Sequence, residues 1–534
     1  MSKENTNTSK PKVLIADKMH PLAAEIFTKQ GCDVTEKFGM TPEELVAEIP
    51  QYEGLAMRSS TTVTPEILAA AKNLKVIGRA GIGVDNIDVK EATNNGVCVM
   101  NTPFGNSITT AEHAIAMMFS MARQIPQANE STHAGKWEKK KFMGAELFSK
   151  TLGVIGCGNI GGIVADRAVG LKMNVIAFDP FLTEERAVEL GVEKVELDDL
   201  FERADFITIH VPKNEKTVGL VNKDSLAKMK DGVRIINCAR GGIVIEADLK
   251  EALDSGKVAG AALDVFEEEP AKENILFGHP KVVCTPHLGA ATTEAQVNVA
   301  IQVAEQMADF LVNGAVTNAL NMPSISADDA PRLKPYMKLA EQLGSFAGQI
   351  TEHAIKAVSI EYQGTVSEIN TKPLTSMIIA NLMGSQLDTV NMVNAMNIAE
   401  SRGIQCSEVH TGSSKDWRSV IIVNVETEER VRSVSGTLFT GKEPRIVDIE
   451  GVRIEAALND NMLFIRNEDK PGLIGQVGTL LGDAGQNIAN FHLGRKPEGD
   501  SAICLISLDD VVSDNLMDEI SSIEQVQLAK QLHF

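Results

Sequence analysis

Short apolar runs alternate with helical stretches from Lys12 to Asn101: KVLIAD, a helix from Pro21 to Gln30, GLAMRS, a helix near Pro65 to Lys72, then KVIGRAG and VCVMN. Strands separated by helices of this length imply a parallel sheet covered on both faces. A long amphipathic stretch, Thr109 to Gln124, follows, and a second series opens at Thr151: TLGVIG, NVIAFD, FITIHV, VRIINCA, GAALDVF and KVVCTP. These runs are apolar almost throughout, as strands buried on both faces must be. The pattern predicts α/β architecture with two doubly wound parallel sheets in tandem. Past Pro323 the polar, proline-containing stretch Ser324 to Pro335 reads as a linker. Mixed strands and helices from Lys356 to Gly451 predict a first α+β unit. From Asn461 a strand, a helix (Ile474 to Asp483), two strands and a helix predict a second, smaller one.

Composition narrows the partners. A chain of 534 residues is too long for one core. No run approaches the roughly 18 apolar residues of a membrane span. The start, Met1 to Ser9, is polar and reads as a short disordered tail without a signal-peptide core, so a cytoplasmic location is expected. Seven scattered cysteines without CxxC pairs favour reduced thiols and no metal site. A net charge of -21 opposes nucleic-acid binding and points to a small partner. An anionic one stays open, because local cations act within a screening length of about 8–10 Å.

The segment Val154 to Gly161 runs an apolar strand into Gly156-Cys157-Gly158-Asn159-Ile160-Gly161 and then a helix, with Asp179 ending the next strand. In this arrangement Gly156 makes the tight turn, Gly158 lets the backbone approach a pyrophosphate and Gly161 lets the helix pack closely. Asp179 is placed to accept from the ribose hydroxyls and to repel a 2′-phosphate, which favours NAD over NADP. Cys157 reads as a small filler of the loop. Gly78 to Gly83, also at a strand end, lacks the glycine spacing and a following acid, and reads as a tight turn beside the substrate.

Hydride transfer from an alcohol carbon requires an acceptor, a base and a cation that binds the carboxylate and polarises the oxygen. Arg240 in CARGG, Glu269 in DVFEEEP and His287 in TPHLG each follow an apolar strand, on the edge where doubly wound sheets bind ligands. Alone, each has a plainer reading: a surface ion-pair partner, one acid of an exposed run, a packed imidazole. Their order after the nucleotide loop favours catalysis.

The segments ARGGIV, DVFEEEP and TPHLGA resemble those of the D-2-hydroxyacid dehydrogenases. The resemblance implies His287 as acid/base, Glu269 hydrogen-bonded to it and favouring its charged form, and Arg240 gripping the substrate carboxylate and C2 oxygen. It implies Asp264 orienting the nicotinamide carboxamide, and Thr208, His210, Pro212 and Ala239 lining the cofactor. RSSTTVT, VIGRAGIGVDNID, FGNSITTAEHAIAM and GKWEKKKFMG are similar, more narrowly, to the D-3-phosphoglycerate branch. That similarity implies a substrate pocket lined by Arg58, Ser59, Arg79, Ala80, Gly81, Asn106 and Ser107, and a product 3-phosphohydroxypyruvate. Lys139, Lys140 and Lys141 read either as a solvated face or as a phosphate-recognising cluster that reaches a neighbouring subunit. Ile245, in GGIVIE, departs from the acidic or amide residue common in the family and puts the capping of the next helix in doubt.

Asn467 to Gly475, continuing to Ile488, resembles the start of an ACT domain, a small ferredoxin-like module that binds amino acids between paired copies. By that resemblance Asp469 and Asn487 hold the effector, with L-serine the natural one; the alternative is turn and cap chemistry. Residues 360–455 resemble the intervening domain of the long dehydrogenases. The expected organisation is a flavodoxin-like substrate domain (1–103 and 291–322), a Rossmann NAD domain (104–290), an intervening domain (323–455) and an ACT domain (456–534). Hinges are expected near Pro103 and Ala290, in a homodimer or homotetramer. The competing functions are a glyoxylate or hydroxypyruvate reductase and a nonenzymatic NAD-sensing scaffold.

Overall fold

A computed structural model of the protein describes residues 10–325, 329–387, 389–414, 416–496 and 501–534. The tail Met1 to Ser9 lies outside the described residues, as do three residues of the expected linker.

The first sheet contains β1 (Lys12–Ile15), β2 (Asp33–Glu36), β3 (Gly54–Met57), β4 (Val76–Arg79) and β5 (Cys98–Met100). They pair in parallel in the order β2-β1-β3-β4-β5, a flavodoxin-like arrangement. The second sheet is built from β6 (Thr151–Ile155), β7 (Asn174–Phe178), β8 (Glu193–Lys194), β9 (Phe206–Ile209), β10 (Val233–Asn237), β11 (Val258–Leu263) and β12 (Val282–Cys284). Its order, β12-β11-β10-β9-β6-β7-β8, is the Rossmann order with one strand added, again parallel throughout. Sequence patterning passed over β2 and β8, the two short edge strands. Both are polar because an edge faces water, so they carry no apolar run to read.

The helix Thr293–Asn313 leaves the second sheet and returns to pack on β3 and β4 of the first. Gly78 on β4 makes the close approach possible, since a Cβ there would overlap the Met307 side chain. The ligand edge of each parallel sheet is its C-terminal one, and the loops that follow β3, β4, β10, β11 and β12 supply the candidate site.

The third sheet contains β13 (Ile355–Gly364), β14 (Gln405–Thr411), β15 (Ser419–Thr427), β16 (Val431–Phe439), β17 (Glu443–Ile449) and β18 (Val452–Ala456), in the order β14-β13-β15-β16-β17-β18. Only the β13/β14 pair is parallel. The helix Ala330–Ile350 begins inside the stretch read as a linker, which corrects that expectation. Pro331 sits in the first turn, where the missing N–H had no partner to lose, and Leu333 is already buried. The fourth sheet is antiparallel, with β19 (Asn461–Glu468), β20 (Ile488–Arg495), β21 (Ser501–Leu508) and β22 (Val526–His533) in the order β20-β21-β19-β22. With the helices Leu473–Asp483 and Asp514–Ser521 it is a ferredoxin-like module. Its last strand, VQLAKQLH, follows the expected final helix as an element that the sequence pattern passed over, and pairs with β19. One apolar cluster runs from the first sheet through Ala330–Ile350 to β19, where Phe346 meets Phe464 edge-on at 5.8 Å.

The helices Ala330–Ile350 and Lys372–Gly384 touch through Gly344 and Gly348 on one face, where a Cβ would run into the carbonyls of Ile378 and Leu382. Gly344→Ala is expected to lower stability by about 1–3 kcal/mol, more than the ~1 kcal/mol of helix propensity that alanine adds. Thermal unfolding followed by circular dichroism checks this.

Candidate active site

The turn between β6 and the helix Asn159–Gly170 is set by Gly156, at φ 89, and Gly161, where a Cβ would overlap the Gly156 carbonyl oxygen. Gly158 caps the helix without any side-chain hydrogen bond, and a Cβ on it would meet nothing within 4 Å. Unpaired first-turn amides beside open space are what a pyrophosphate requires, so this turn fits a dinucleotide. Asn159 and Ile160 form the first turn, Asn159 exposed and Ile160 partly buried against the core of the second sheet. Asp179 accepts from Cys157 N and Phe181 N, each at 2.8 Å, which fixes its carboxylate at the mouth of the turn. Cys157 is buried and burial pushes its thiol up to about 11, as befits a filler. Thr208 contacts His210 Nε2 at 2.8 Å; burial pushes His210 down to about 4, so it is neutral, and its buried Nδ1 has no partner. Pro212 and Ala239 lie on the same strand-end edge, after β9 and β10.

Three strand ends bring Arg240, Glu269 and His287 to that edge. His287 Nδ1 lies 2.6 Å from Glu269 Oε2, while Glu269 Oε1 accepts from Phe266 N at 3.0 Å. Burial raises the Glu269 carboxyl, but His287, the Phe266 amide and Arg240 outweigh it and hold the group below the usual carboxylate range. The Nδ1 contact leaves imidazole Nε2 for the cleft. His287 sits at φ 55, a left-handed backbone that a histidine adopts only when its surroundings impose it.

The imposing group is Asp264. Its carboxylate, fully buried, accepts from Thr285 Oγ1 at 2.6 Å, Leu288 N at 2.7 Å and Gly289 N at 2.9 Å, and lies 3.1 Å from His113 Nε2. Both oxygens are therefore engaged inside the protein. Asp264 thereby ties down the turn that carries His287.

The cationic side of the cleft is shared. Arg240 Nε donates to Asp85 Oδ2 at 2.7 Å and its Nη1 to Ala239 O at 2.7 Å, with the guanidinium lying on Gly83. Arg79 Nε donates to Asn86 Oδ1 at 3.1 Å, and its terminal nitrogen lies over Gly81. Burial, then Arg240 beside it, pushes Arg79 down to about 10. Arg58 donates its backbone N–H to buried Asp17 at 2.6 Å and its side chain to Lys18 O and Gln296. Ser59 is exposed beside it and Ala80 is buried in the turn. Asn106 and Ser107 are buried at the start of the helix Ser107–Arg123, and Asn106 Oδ1 has no hydrogen-bond partner.

Lys139, Lys140 and Lys141 are exposed, and none bonds to a cleft residue; Lys141 pairs with Glu138 at 3.4 Å. Asp469 pairs with Arg495 at 3.0 Å, and Asn487 donates to Asp509 at 2.7 Å, so no bond joins these two candidates to each other. Ile245 caps the helix Glu246–Ser255 without a side-chain bond, as its departure from the family pattern led one to expect. Sequence reading missed Asp17, Asp85, Asn86 and His113. Asp85 and Asn86 stood in the quoted GVDNID, and His113 in TAEHAIAM, but only three-dimensional partners reveal their work.

Among the described residues no helix is long and apolar enough to cross a membrane, and no cluster of His, Cys, Asp or Glu could hold a metal.

Comparison with known proteins matches residues 115–289 to the D-isomer specific 2-hydroxyacid dehydrogenase NAD binding domain. Residues 332–450 match the D-3-phosphoglycerate dehydrogenase intervening domain, and 461–525 the ACT domain. The D-3-phosphoglycerate dehydrogenase of Synechocystis sp. is 43% identical, with 97% of this chain and 93% of the relative covered. That of Bacillus subtilis is 42% identical over 97% of this chain and 99% of its own. Among solved structures, a glyoxylate reductase from Paecilomyes thermophila superimposes with a TM-score of 0.55 at 31% identity, covering 59% of this chain and 98% of its own.

Asp264→Asn would turn an N–H donor against backbone N–H groups. It is expected to lower stability by about 1–3 kcal/mol and turnover at least about tenfold, because the His287 turn loses its tether. Thermal unfolding and steady-state kinetics on one preparation check both.

Proposed function

The chain belongs to the D-3-phosphoglycerate dehydrogenase family, and from that premise we infer how its own residues perform the reaction. It is an NAD-dependent dehydrogenase that oxidises D-3-phosphoglycerate to 3-phosphohydroxypyruvate, the entry step of the phosphorylated route to L-serine. NAD, when bound, supplies the hydride acceptor.

His287 Nε2 takes the C2 hydroxyl proton as the C2 hydrogen leaves with its electron pair. Glu269 on Nδ1 holds the ring in orientation and stabilises the imidazolium that forms. Arg240 binds the carboxylate and polarises the C2 oxygen, while Arg58 and Arg79 face the phosphate, with Ser59, Ala80, Gly81, Asn106 and Ser107 completing the wall. Gly156, Gly158, Asn159, Ile160 and Gly161 would hold the pyrophosphate, Asp179 the ribose, and Thr208, His210, Pro212 and Ala239 the nicotinamide side. Closure about Pro103 and Ala290 would expel water from the cleft. The observation that carries this reading is the 2.6 Å His287–Glu269 pair on the same sheet edge as Arg240.

The domain limits that go with it are 1–103 with 291–322, 104–290, 323–455 and 456–534. The ACT domain accommodates an amino-acid effector, L-serine by the logic of end-product control, held by Asp469 and Asn487. A cytoplasmic homodimer or homotetramer is the working assembly. Trp137, Met143 and Phe148, which are 87%, 76% and 65% exposed beside Lys139 to Lys141, support burial of that segment against a second copy.

His287→Ala is expected to reduce turnover by about 10²–10⁴-fold while the NAD dissociation constant stays within about twofold; unchanged turnover removes the mechanism. Phosphorylated hydroxypyruvate should be preferred over hydroxypyruvate by about a hundredfold in kcat/KM, for two charge-assisted contacts. Equal reactivity would favour the glyoxylate or hydroxypyruvate reductase.

A further inference from the structure

We propose that Asp85 and Asn86 are positioning residues for the substrate: each holds one arginine by its Nε, so that the terminal nitrogens of Arg240 and Arg79 face the substrate's anionic groups. The inference rests on the reading above that Arg240 grips the carboxylate.

The two bonds have the same form. Arg240 Nε donates to Asp85 Oδ2 at 2.7 Å, and Arg79 Nε donates to Asn86 Oδ1 at 3.1 Å. Asn86 Nδ2 also donates to Arg58 O at 2.7 Å and Thr61 O at 2.6 Å. One dipeptide thus ties together all three arginine segments of the cleft. A guanidinium is a planar fork of five N–H donors, and fixing the Nε edge orients the remaining donors without consuming them. Arg240 places its Nη1 on Ala239 O, so Nη2 is the donor left for an incoming carboxylate.

Asp85 follows β4 of the first sheet and Arg240 follows β10 of the second, so their ion pair spans the cleft between the two sheets. The arginine carried by one lobe takes its orientation from an acid carried by the other. Lobe closure and assembly of the anion site are then one event. The acid also offsets repulsion among three neighbouring cations, and it remains charged: burial raises it, but Arg240 and Arg79 hold it below the usual carboxylate range. An acid acting as a stand-in for substrate would occupy the terminal nitrogens instead.

The test compares the full-length enzyme with D85N, R240K and the double variant, using 3-phosphoglycerate at saturating NAD. D85N is expected to raise KM for 3-phosphoglycerate about tenfold or more, for loss of one charge-assisted bond, and to lower kcat as well, because the same guanidinium polarises the C2 oxygen. The NAD dissociation constant and melting temperature should stay at parental values. In the R240K background, D85N should add less than about twofold, because both act through one guanidinium. A KM that is unchanged or lowered in D85N overturns the proposal, as does a full multiplicative effect in the R240K background or a parallel loss of NAD affinity and melting temperature. A parental R240K would sink the assignment of Arg240 itself, and this proposal with it.

Discussion

Three guanidinium groups held in one cleft repel one another, and the surrounding architecture is organised to hold them there. Arg58 and Arg240 come from the loops after β3 and β10 and Arg79 ends β4; burial first, and Arg240 beside it second, push Arg79 down to about 10. The chain as a whole carries a formal charge of -21, yet screening confines that field to about 8–10 Å, so the local cations decide what enters. A ligand bearing a carboxylate and a phosphate relieves the repulsion at both ends. Asp85 and Asn86 hold two of the cations in place until it arrives, and Asp17 fixes the backbone that carries the third.

The opposite wall meets a different constraint, that of presenting one imidazole in a single orientation. Asp264 is fully buried, and its four polar contacts fasten the turn after β12 so that His287 adopts φ 55. Glu269 then fixes the ring through Nδ1. A buried carboxylate with both oxygens hydrogen-bonded inside the protein is costly to disturb, which makes it a rigid anchor for a reactive group. The parallel sheets explain why both walls meet: their C-terminal edges are the only places where so many loops of distant sequence origin converge.

What could be read from the chain follows the same physics. Strands buried on both faces announce themselves as apolar runs, so β6, β9 and β10 were legible, whereas the edge strands DVTE and EK were not. Pro331 and Pro335 suggested a linker because proline punctuates most helices, but Leu333 between them is buried and the helix is held by packing. Arg240, Glu269 and His287 were legible because each closes a strand next to glycine or proline. Asp85, Asn86 and His113 were not, since their meaning lies in partners that are as far as 172 positions away in the chain. Asp264 was noticed for its strand-end position, but its tether to the His287 turn was not legible, because sequence shows where a carboxylate sits but not which donors surround it.

The most direct test of convergence on one secondary alcohol is a crystal structure of the full-length protein with NADH and 3-phosphohydroxypyruvate. His287 Nε2 and a terminal nitrogen of Arg240 should both lie within about 2.6–3.2 Å of the C2 oxygen, with the carboxylate also on Arg240. If either group stands farther off than one bridging water can span while the lobes are shut, the account is contradicted.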